Sequence, residues 1–241
     1  MIEKIEGIII SETPYGDTSK IINVFTKEHG IIGVMAKGTK SMKSKLRAVS
    51  SKFTYGYFHI YYKENKLSQL IAVDIIDNLN KIKTDLTLIG YLSYITELTS
   101  QVYKQNNELA IYDLYINGVK KINEGLTPSI ITNILEIKYL DFLGIGLNLD
   151  CCVNCGNTTN IVTLDPNQGG FICSNCYHNE KIIDSKTIKL IRMYYHVDIK
   201  SITNLKISEE IANQINYFLS KYYERYTGLY LKSKEFLKQV L

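Results

Sequence analysis

The sequence lacks the features of a membrane or secreted protein. Its 241 residues contain no run that approaches the roughly 18 to 20 uninterrupted apolar residues needed to span a bilayer. The beginning of the sequence has no basic segment leading into an apolar one, so no secretory signal is predicted. We therefore expect a cytoplasmic protein without a membrane partner.

Cysteine and proline are scarce, with five and three residues. An odd number of cysteines without a secretion signal argues against a disulfide framework, so we expect reduced thiols that are buried or bind a metal. The few prolines and the absence of low-complexity segments leave no obvious flexible linker. Because 45% of the residues are apolar and 22% are charged, the chain can bury at least one core.

The chain also has little net charge, formally +4. Its distribution is uneven, because residues 1–80 contain 11 basic and 8 acidic side chains, a balance of +3. Six cations of this segment form a run without an intervening acid: Lys37, Lys40, Lys43, Lys45, Arg47 and Lys52. Such a run is either a surface for an anionic partner or a solvated loop.

Five short segments at the beginning of the chain are rich in β-branched and aromatic residues and are bounded by turns, which predicts strands. They are residues 6–11, 20–26, 31–36, 53–62 and 67–76. Five strands without an intervening helical period indicate a small barrel. The five-stranded barrel expected for such a pattern is the oligonucleotide-binding (OB) fold.

A helical period begins after Asn80, where Leu86, Ile89 and Leu92 recur at three-residue spacing. Helices are predicted at 84–104, 107–123, 128–143, 184–196 and 208–231. Thr127 followed by Pro128 supplies the start signal of the third of these helices. The predicted fold is therefore α+β and multidomain: an OB-fold barrel at 1–80, an α-helical domain at 81–148 and 181–241, and an inserted module at 149–180.

The inserted module contains two C-x-x-C pairs, Cys152 with Cys155 and Cys173 with Cys176, separated by 17 residues. This is the spacing of four-cysteine zinc sites. Two residues between thiols let the chain turn back so that both sulfurs reach one ion at about 2.3 Å. The intervening residues read as a strand, a turn and a return strand, so we predict a zinc ribbon with one structural ion. Cys151 is the alternative to Cys152 as a ligand.

Three other uses of these cysteines fit less well. A redox site needs only one C-x-x-C pair, and a catalytic zinc site leaves a position open for water that four thiolates would fill. A nucleobase deaminase needs H-x-E upstream of P-C-x-x-C, whereas His178-Asn179-Glu180 lies downstream of both pairs and no proline precedes either pair. The spacing favours a closed, structural site.

No segment predicts catalysis. Residues 33–41 superficially resemble a phosphate-binding loop, but Thr39 is inserted between Gly38 and Lys40, and no helix is predicted to follow. There is no nucleophile elbow, and three histidines stand apart from candidate catalytic partners: His29, His59 and His196. We therefore expect a binding protein that is not an enzyme.

Three separated blocks resemble the RecO family of bacterial recombination mediators. The first block is Gly7-Ile8-Ile9-Ile10, Tyr15-Gly16-Asp17-Thr18-Ser19-Lys20-Ile21, Thr26-Lys27-Glu28-His29-Gly30 and Ala36-Lys37-Gly38. The second is the four-cysteine segment, and the third is Leu231-Lys232-Ser233-Lys234-Glu235-Phe236-Leu237. Their order, their spacing and the total length fit the family, so the resemblance covers the whole chain.

The resemblance implies an OB domain, a helical domain and a zinc module in a protein that binds single- and double-stranded DNA. Members of this family anneal complementary strands, act with RecR, and help RecA displace single-strand-binding protein (SSB). The C-terminal tail of SSB is expected to dock on the helical domain, and the protein is expected at the nucleoid. Some members have lost the zinc cysteines, whereas this sequence keeps all four.

The residues themselves agree with a DNA site on the barrel. The six basic residues of the acid-free run, from Lys37 to Lys52, are the predicted phosphate contacts. Phe53, Tyr55 and Tyr57 follow and are candidates for base stacking, although we expect at least half of them to fill the barrel. Two other functions compete: a zinc-ribbon nucleic-acid-binding adaptor in transcription or RNA metabolism, and a zinc-dependent or redox enzyme.

Overall fold

The computed structural model describes residues 2–241, and its first five strands form the predicted barrel. The strands are β1 (Ile2–Tyr15), β2 (Ser19–Thr26), β3 (Gly30–Ala36), β4 (Tyr55–Tyr61) and β5 (Ser68–Asp77). Their order, β1-β2-β3-β5-β4, closes because β1 pairs with both β2 and β4. Only the β3–β5 pairing is parallel among these strands. The predicted OB fold is confirmed.

Alternate strand residues fill the barrel, as the two-residue period of a strand requires. Its core consists of Ile5, Ile9, Ile22, Val24, Val34, Ala36, Phe58, Ile60 and Leu70. The opposite face of β1 and β2 is also buried, at Ile8 and Phe25. There the Phe25 ring contacts the rings of Tyr112 and Tyr115, with centroids 5.3 and 6.1 Å away.

The described chain divides into two compact units, of which the barrel unit comprises the chain up to Leu86 together with Asn107–Ile116. The helical unit comprises Thr87–Asn106 and Asn117–Leu241. The predicted domain boundaries at 80, 148 and 180 divide the chain differently from these two units, and they stay predictions.

Helices account for most of the chain after β5. The long ones are α3 (Leu86–Asn106), α4 (Ala110–Glu124), α5 (Pro128–Phe142), α6 (Ser185–His196), α7 (Glu209–Tyr226) and α8 (Lys232–Val240). The short ones are α1 (Leu46–Val49), α2 (Asn80–Lys83) and a 3₁₀ turn at Ile199–Ser201. Helix α5 is the most buried of the long helices and packs against α6 and α7.

The prediction of one helix over 208–231 is wrong at its end. Ser208 caps the beginning of α7 as expected, since its side chain accepts a hydrogen bond from the N–H of Ile211. The helix stops at Tyr226 because Gly228 follows with φ +60°, a conformation that terminates helices. A separate helix, α8, then begins at Lys232 and was not predicted.

The cysteine segment folds into a small sheet within the helical unit, called here the ribbon module (residues 148–176). Its strands are β6 (Asn148–Cys152), β7 (Ile161–Asp165) and β8 (Gly170–Cys173). Strands β7 and β8 form an antiparallel hairpin, and β6 adds in parallel to β8. The predicted ribbon is confirmed.

Within residues 2–241, none of the helices combines the length and the apolar character needed to cross a bilayer.

Candidate functional site

The four cysteines of the two C-x-x-C pairs converge on one point of the ribbon module. The sulfur atoms of Cys152, Cys155, Cys173 and Cys176 all lie within 4.8 Å of one another. Cys155 Sγ and Cys173 Sγ are 3.6 Å apart. Thiolates that surround a tetrahedral ion at about 2.3 Å are separated by about 3.8 Å. The arrangement therefore fits one tetrahedrally bound metal ion.

Backbone geometry brings the two pairs together. Cys152 ends β6 and Cys173 ends β8, so the parallel pairing of these strands places both first cysteines at the same edge of the small sheet. The chain turns back after each of them. The N–H of Gly156 donates to the carbonyl of Cys152 (2.9 Å), and the N–H of Cys176 donates to the carbonyl of Cys173 (3.1 Å). Gly156 has φ +73°, which glycine adopts without strain.

The electrostatic environment of Cys152, the buried member of the first C-x-x-C pair, favours its thiolate form. Desolvation opposes ionisation of Cys152, but backbone hydrogen bonds from Cys173, Asn154 and Cys155 outweigh it and lower the pKa of this thiol to about 6. A thiolate is the form of cysteine that binds a metal.

Cys151 lies outside the four-cysteine group. Its thiol donates to the side-chain oxygen of Asn148 at 3.7 Å, while Cys152 is buried and faces the other three sulfurs. Neighbouring residues of a strand point to opposite faces, so only one of this adjacent pair can face the metal site. The four thiolates leave no coordination position for water, which is the arrangement of a structural site.

The second candidate site is the basic loop, residues 37–54 between β3 and β4. Five of its six predicted DNA contacts are exposed: Lys37, Lys40, Lys43, Lys45 and Arg47. Lys52 is half-buried, with its Nζ 4.6 Å from the centre of the Phe53 ring. Lys40 anchors the loop to the turn between β1 and β2, because its Nζ donates to the carbonyl of Gly16 at 2.9 Å. The loop thus presents its cations on the barrel with no acidic residue between them.

Two of the three candidate stacking residues are buried. Phe53 is 6% exposed and Tyr55 is 2% exposed, so neither offers a ring face to a base. The Tyr55 hydroxyl donates to Glu6 Oε1 at 2.6 Å, and burial together with this carboxylate raises the pKa of Tyr55. Tyr57 is exposed, with Lys4 Nζ 4.7 Å from its ring centre. The expectation that at least half of these aromatic residues fill the barrel is not met, because neither Phe53 nor Tyr55 belongs to the barrel core, and Tyr55 pairs with Ile8 of β1 on the buried outer face.

Sequence reasoning missed a recess beside the basic loop. It is lined by Glu12 from β1, by Lys20 from β2, and by three residues of the loop: Thr39, Lys40 and Arg47. Lys20 is distant from the loop in sequence, and the β2–β3 pairing brings it near by placing Lys20 opposite Ala36, where the loop begins. The alternation of side chains along the predicted strands of the β2–β3 hairpin could have predicted that Lys20 lies near the loop.

The fold and the two sites define a class of protein: an OB-fold protein that carries a basic loop on its barrel and a four-thiolate metal site in a separate helical unit. The family described as "Recombination protein O N terminal" matches residues 1–79. The family described as "Recombination protein O C terminal" matches residues 83–235.

Three relatives of known name match along their length. The DNA repair protein RecO of Bacillus subtilis (strain 168) is 35% identical over 244 residues, covering 100% of this chain and 95% of the relative. The protein of the same name from Halalkalibacterium halodurans is 34% identical, covering 100% and 96%. That of Listeria monocytogenes serotype 4b is 33% identical over 243 residues, covering 99% and 95%. The chain belongs to the RecO family of DNA repair proteins, so the resemblance found in the sequence is confirmed.

Proposed function

We propose that this protein is a non-enzymatic recombination mediator that binds single- and double-stranded DNA, anneals complementary strands, and with RecR helps load RecA onto SSB-coated DNA. It acts in the cytoplasm at the nucleoid, and its helical unit receives the C-terminal tail of SSB. The observation that carries the proposal is the acid-free set of exposed cations on the OB barrel, in a chain of the RecO family.

The basic loop binds the phosphate backbone and not particular bases. Its lysines and its arginine reach phosphate oxygens without reading base edges, so binding has little sequence preference and weakens with salt. Tyr57 is the one exposed aromatic residue of the three candidates and adds a stacking surface on β4.

Annealing needs no catalytic side chain. Two complementary strands gain pairing free energy once their mutual repulsion is screened, and a basic platform that holds both strands supplies this screening. The proposed role of the protein is to hold two backbones close together without fixing their bases. The same cations compete with SSB for the backbone.

The four cysteines bind one zinc ion, because four thiolates in a tetrahedral arrangement suit zinc. The ion stabilises the ribbon module and leaves the chemistry of the DNA unchanged. Its role is to fix the two turns that follow β6 and β8.

The decisive experiment measures annealing of SSB-coated complementary DNA strands. The variant K37Q/K40Q/K43Q/R47Q removes four charges from the basic loop. A matched variant, K104Q/K186Q/K189Q/K200Q, removes four exposed charges from the helical unit. We expect the first to lose most of the annealing rate and the second to keep it. An unchanged rate in the loop variant would refute the proposal.

The alternative function is a zinc-ribbon nucleic-acid-binding adaptor in transcription or RNA metabolism. It is favoured if the protein binds single-stranded RNA more tightly than DNA of the same sequence. Comparison of the two affinities at one salt concentration separates the functions.

A further inference from the structure

The recess beside the basic loop has the composition of a site for one anion. Its volume is about 590 Å³, and it is lined by Glu12, Pro14, Lys20, Thr39, Lys40 and Arg47. Three segments that are distant in sequence form its walls: the end of β1, the start of β2 and the basic loop. In a recess, unlike on the rest of the loop surface, several cations can contact one bound anion.

Its charges are incompletely balanced. Lys20 Nζ pairs with Glu12 at 2.6 Å, so one cation and the one carboxylate of the lining offset each other. The side chains of Lys40 and Arg47 instead contact neutral groups, the Gly16 carbonyl at 2.9 Å and the Met42 sulfur at 2.7 Å. The four charged residues therefore leave a balance of +2 around the recess.

Thr39 supplies an observation independent of charge. Its side chain is 3% exposed, and its hydroxyl has no hydrogen-bond partner among residues 2–241. Buried polar groups in proteins are nearly always paired, and an unpaired one indicates strain or a missing partner. An anion in the recess would offer the Thr39 hydroxyl the acceptor that it lacks.

We propose that this recess binds the terminal phosphate of a DNA strand. The inference rests on the proposed DNA binding and adds that the barrel recognises a strand end. A phosphate monoester carries a charge of about −1.5 to −2 at pH 7, which matches the balance of +2, whereas an internal phosphodiester carries one negative charge. Lys20, Lys40 and Arg47 hold the phosphate, and Thr39 donates a hydrogen bond to one of its oxygens.

The lining of the recess includes Thr39 and Lys40 of residues 33–41, the segment that superficially resembles a phosphate-binding loop. Gly38 adopts φ +68°, and Thr39 and Lys40 follow directly. No long helix begins after them, since the next helix, α1, has only four residues. The segment lacks the helix end that positions a nucleotide triphosphate for hydrolysis, but it retains the side chains that hold a single phosphate.

The test compares single-stranded oligonucleotides that are identical except for their ends: hydroxyl at both ends, phosphate at the 5′ end, or phosphate at the 3′ end. Fluorescence anisotropy at one salt concentration gives the three affinities. We expect a terminal phosphate to tighten binding about tenfold, the size expected for new charge-assisted hydrogen bonds. The two phosphorylated arms show which end is recognised. Inorganic phosphate should remove the preference and leave the hydroxyl-ended oligonucleotide bound.

Two substitutions assign the effect to the recess. Thr39→Val removes the hydroxyl with little change of shape, and Thr39→Ser keeps it. We expect T39V to lose the preference for a terminal phosphate, T39S to retain it, and both to bind the hydroxyl-ended strand as the parent protein does. Equal preferences in all three proteins would overturn the role of Thr39.

The outcomes for the recess and for DNA binding are distinguishable. If the parent protein binds all three oligonucleotides equally, the terminal-phosphate site is refuted while DNA binding stands. If none of the oligonucleotides binds, the proposed function fails, and the recess is tested by NMR titration with inorganic phosphate. A saturable shift of the Thr39 and Lys40 amide signals supports the site, and its absence overturns it.

Discussion

The carboxylate of Glu97 in α3 caps the first turn of α8 through Ser233. It accepts hydrogen bonds from the N–H groups of Lys232 (3.3 Å) and Ser233 (2.8 Å) and from the Ser233 hydroxyl. A helix leaves its first N–H groups unpaired, and a carboxylate at this end satisfies them and interacts favourably with the helix dipole. The Leu-Lys-Ser block near the end of the chain is thereby assigned a structural role.

We expect Glu97→Gln to destabilise the helical unit. The substitution removes the negative charge and places an NH₂ group either opposite the N–H of Lys232, which contacts Oε1, or opposite the N–H and hydroxyl of Ser233, which contact Oε2. Loss of hydrogen bonds to a charged group costs about 1.5 to 3 kcal/mol. The free energy of unfolding measured in urea should therefore be lower than that of the parent protein by about that amount.

The matched control is Glu235→Gln on α8 itself. Glu235 is exposed and pairs only with Lys238, at 2.9 Å, among the contacts of its carboxylate in the described chain. Exposed pairs of this kind contribute about 0.3 to 0.5 kcal/mol. Equal losses in the two variants would show that Glu97 has no special role as a cap.

The buried carboxylate of Glu136 makes stability depend on pH. Glu136 of α5 is 7% exposed and accepts a hydrogen bond from the Tyr94 hydroxyl at 2.5 Å. Desolvation raises the pKa of Glu136, and it outweighs the opposing effects of Tyr94 and Lys234. The folded protein therefore holds the proton more tightly than the unfolded chain does.

The contribution of Glu136 to stability is fully present below the ordinary glutamate pKa and is lost as pH rises through the higher pKa of the folded state. Glu136→Gln keeps an acceptor for Tyr94 and does not ionise, so the variant should lose this part of the pH dependence and be more stable than the parent at neutral pH. Melting temperatures from pH 5 to 8 for both proteins check this, and parallel curves would contradict it.

Sequence patterns predicted the strands and the ribbon module, which are defined by residues close together in the chain. The β-branched segments gave five strands, and the two C-x-x-C pairs predicted the ribbon module, because strand period and ligand spacing are properties of neighbouring residues. Helix α8 was missed because its beginning depends on Glu97, which lies 136 residues from Ser233 in the chain. The burial of Phe53 and Tyr55 and the recess near Thr39 likewise depend on strand pairing between distant segments.

Removal of the metal should destabilise the helical unit. Free energies of about 10 to 16 kcal/mol accompany zinc binding to small four-ligand modules, so the ribbon module is expected to unfold without its ion. Cys155→Ser and Cys176→Ser remove ligands that lie near the surface rather than in the core. We expect both variants to lose the zinc measured by elemental analysis, which should be one ion per chain in the parent protein, and to melt at lower temperature.

Cys151→Ser is the control for the metal site. Its thiol contacts Asn148 and not the other cysteines of the group, so zinc content and melting temperature should match those of the parent protein. Loss of zinc in this variant would show that Cys151 is a ligand. A metal-free, reduced protein with an unchanged melting temperature would contradict the structural role of the ion.

The basic loop should make DNA binding strongly dependent on salt. If about four of its cations neutralise phosphates, a plot of log affinity against log salt concentration has a slope of about −3 for single strands and about −4 for duplexes. Each cation replaced by glutamine should reduce the slope by about one unit or slightly less, because one fewer counterion is released.

The variant K43Q tests this, since Lys43 is exposed and lies outside the lining of the recess. It should weaken binding to DNA of every sequence equally and leave the preference for a terminal phosphate unchanged. Lys189→Gln, on the exposed surface of α6, is the control and should leave the slope as it was. A slope near zero in the parent protein would exclude phosphate contacts by the loop and would point instead to binding through stacking on Tyr57.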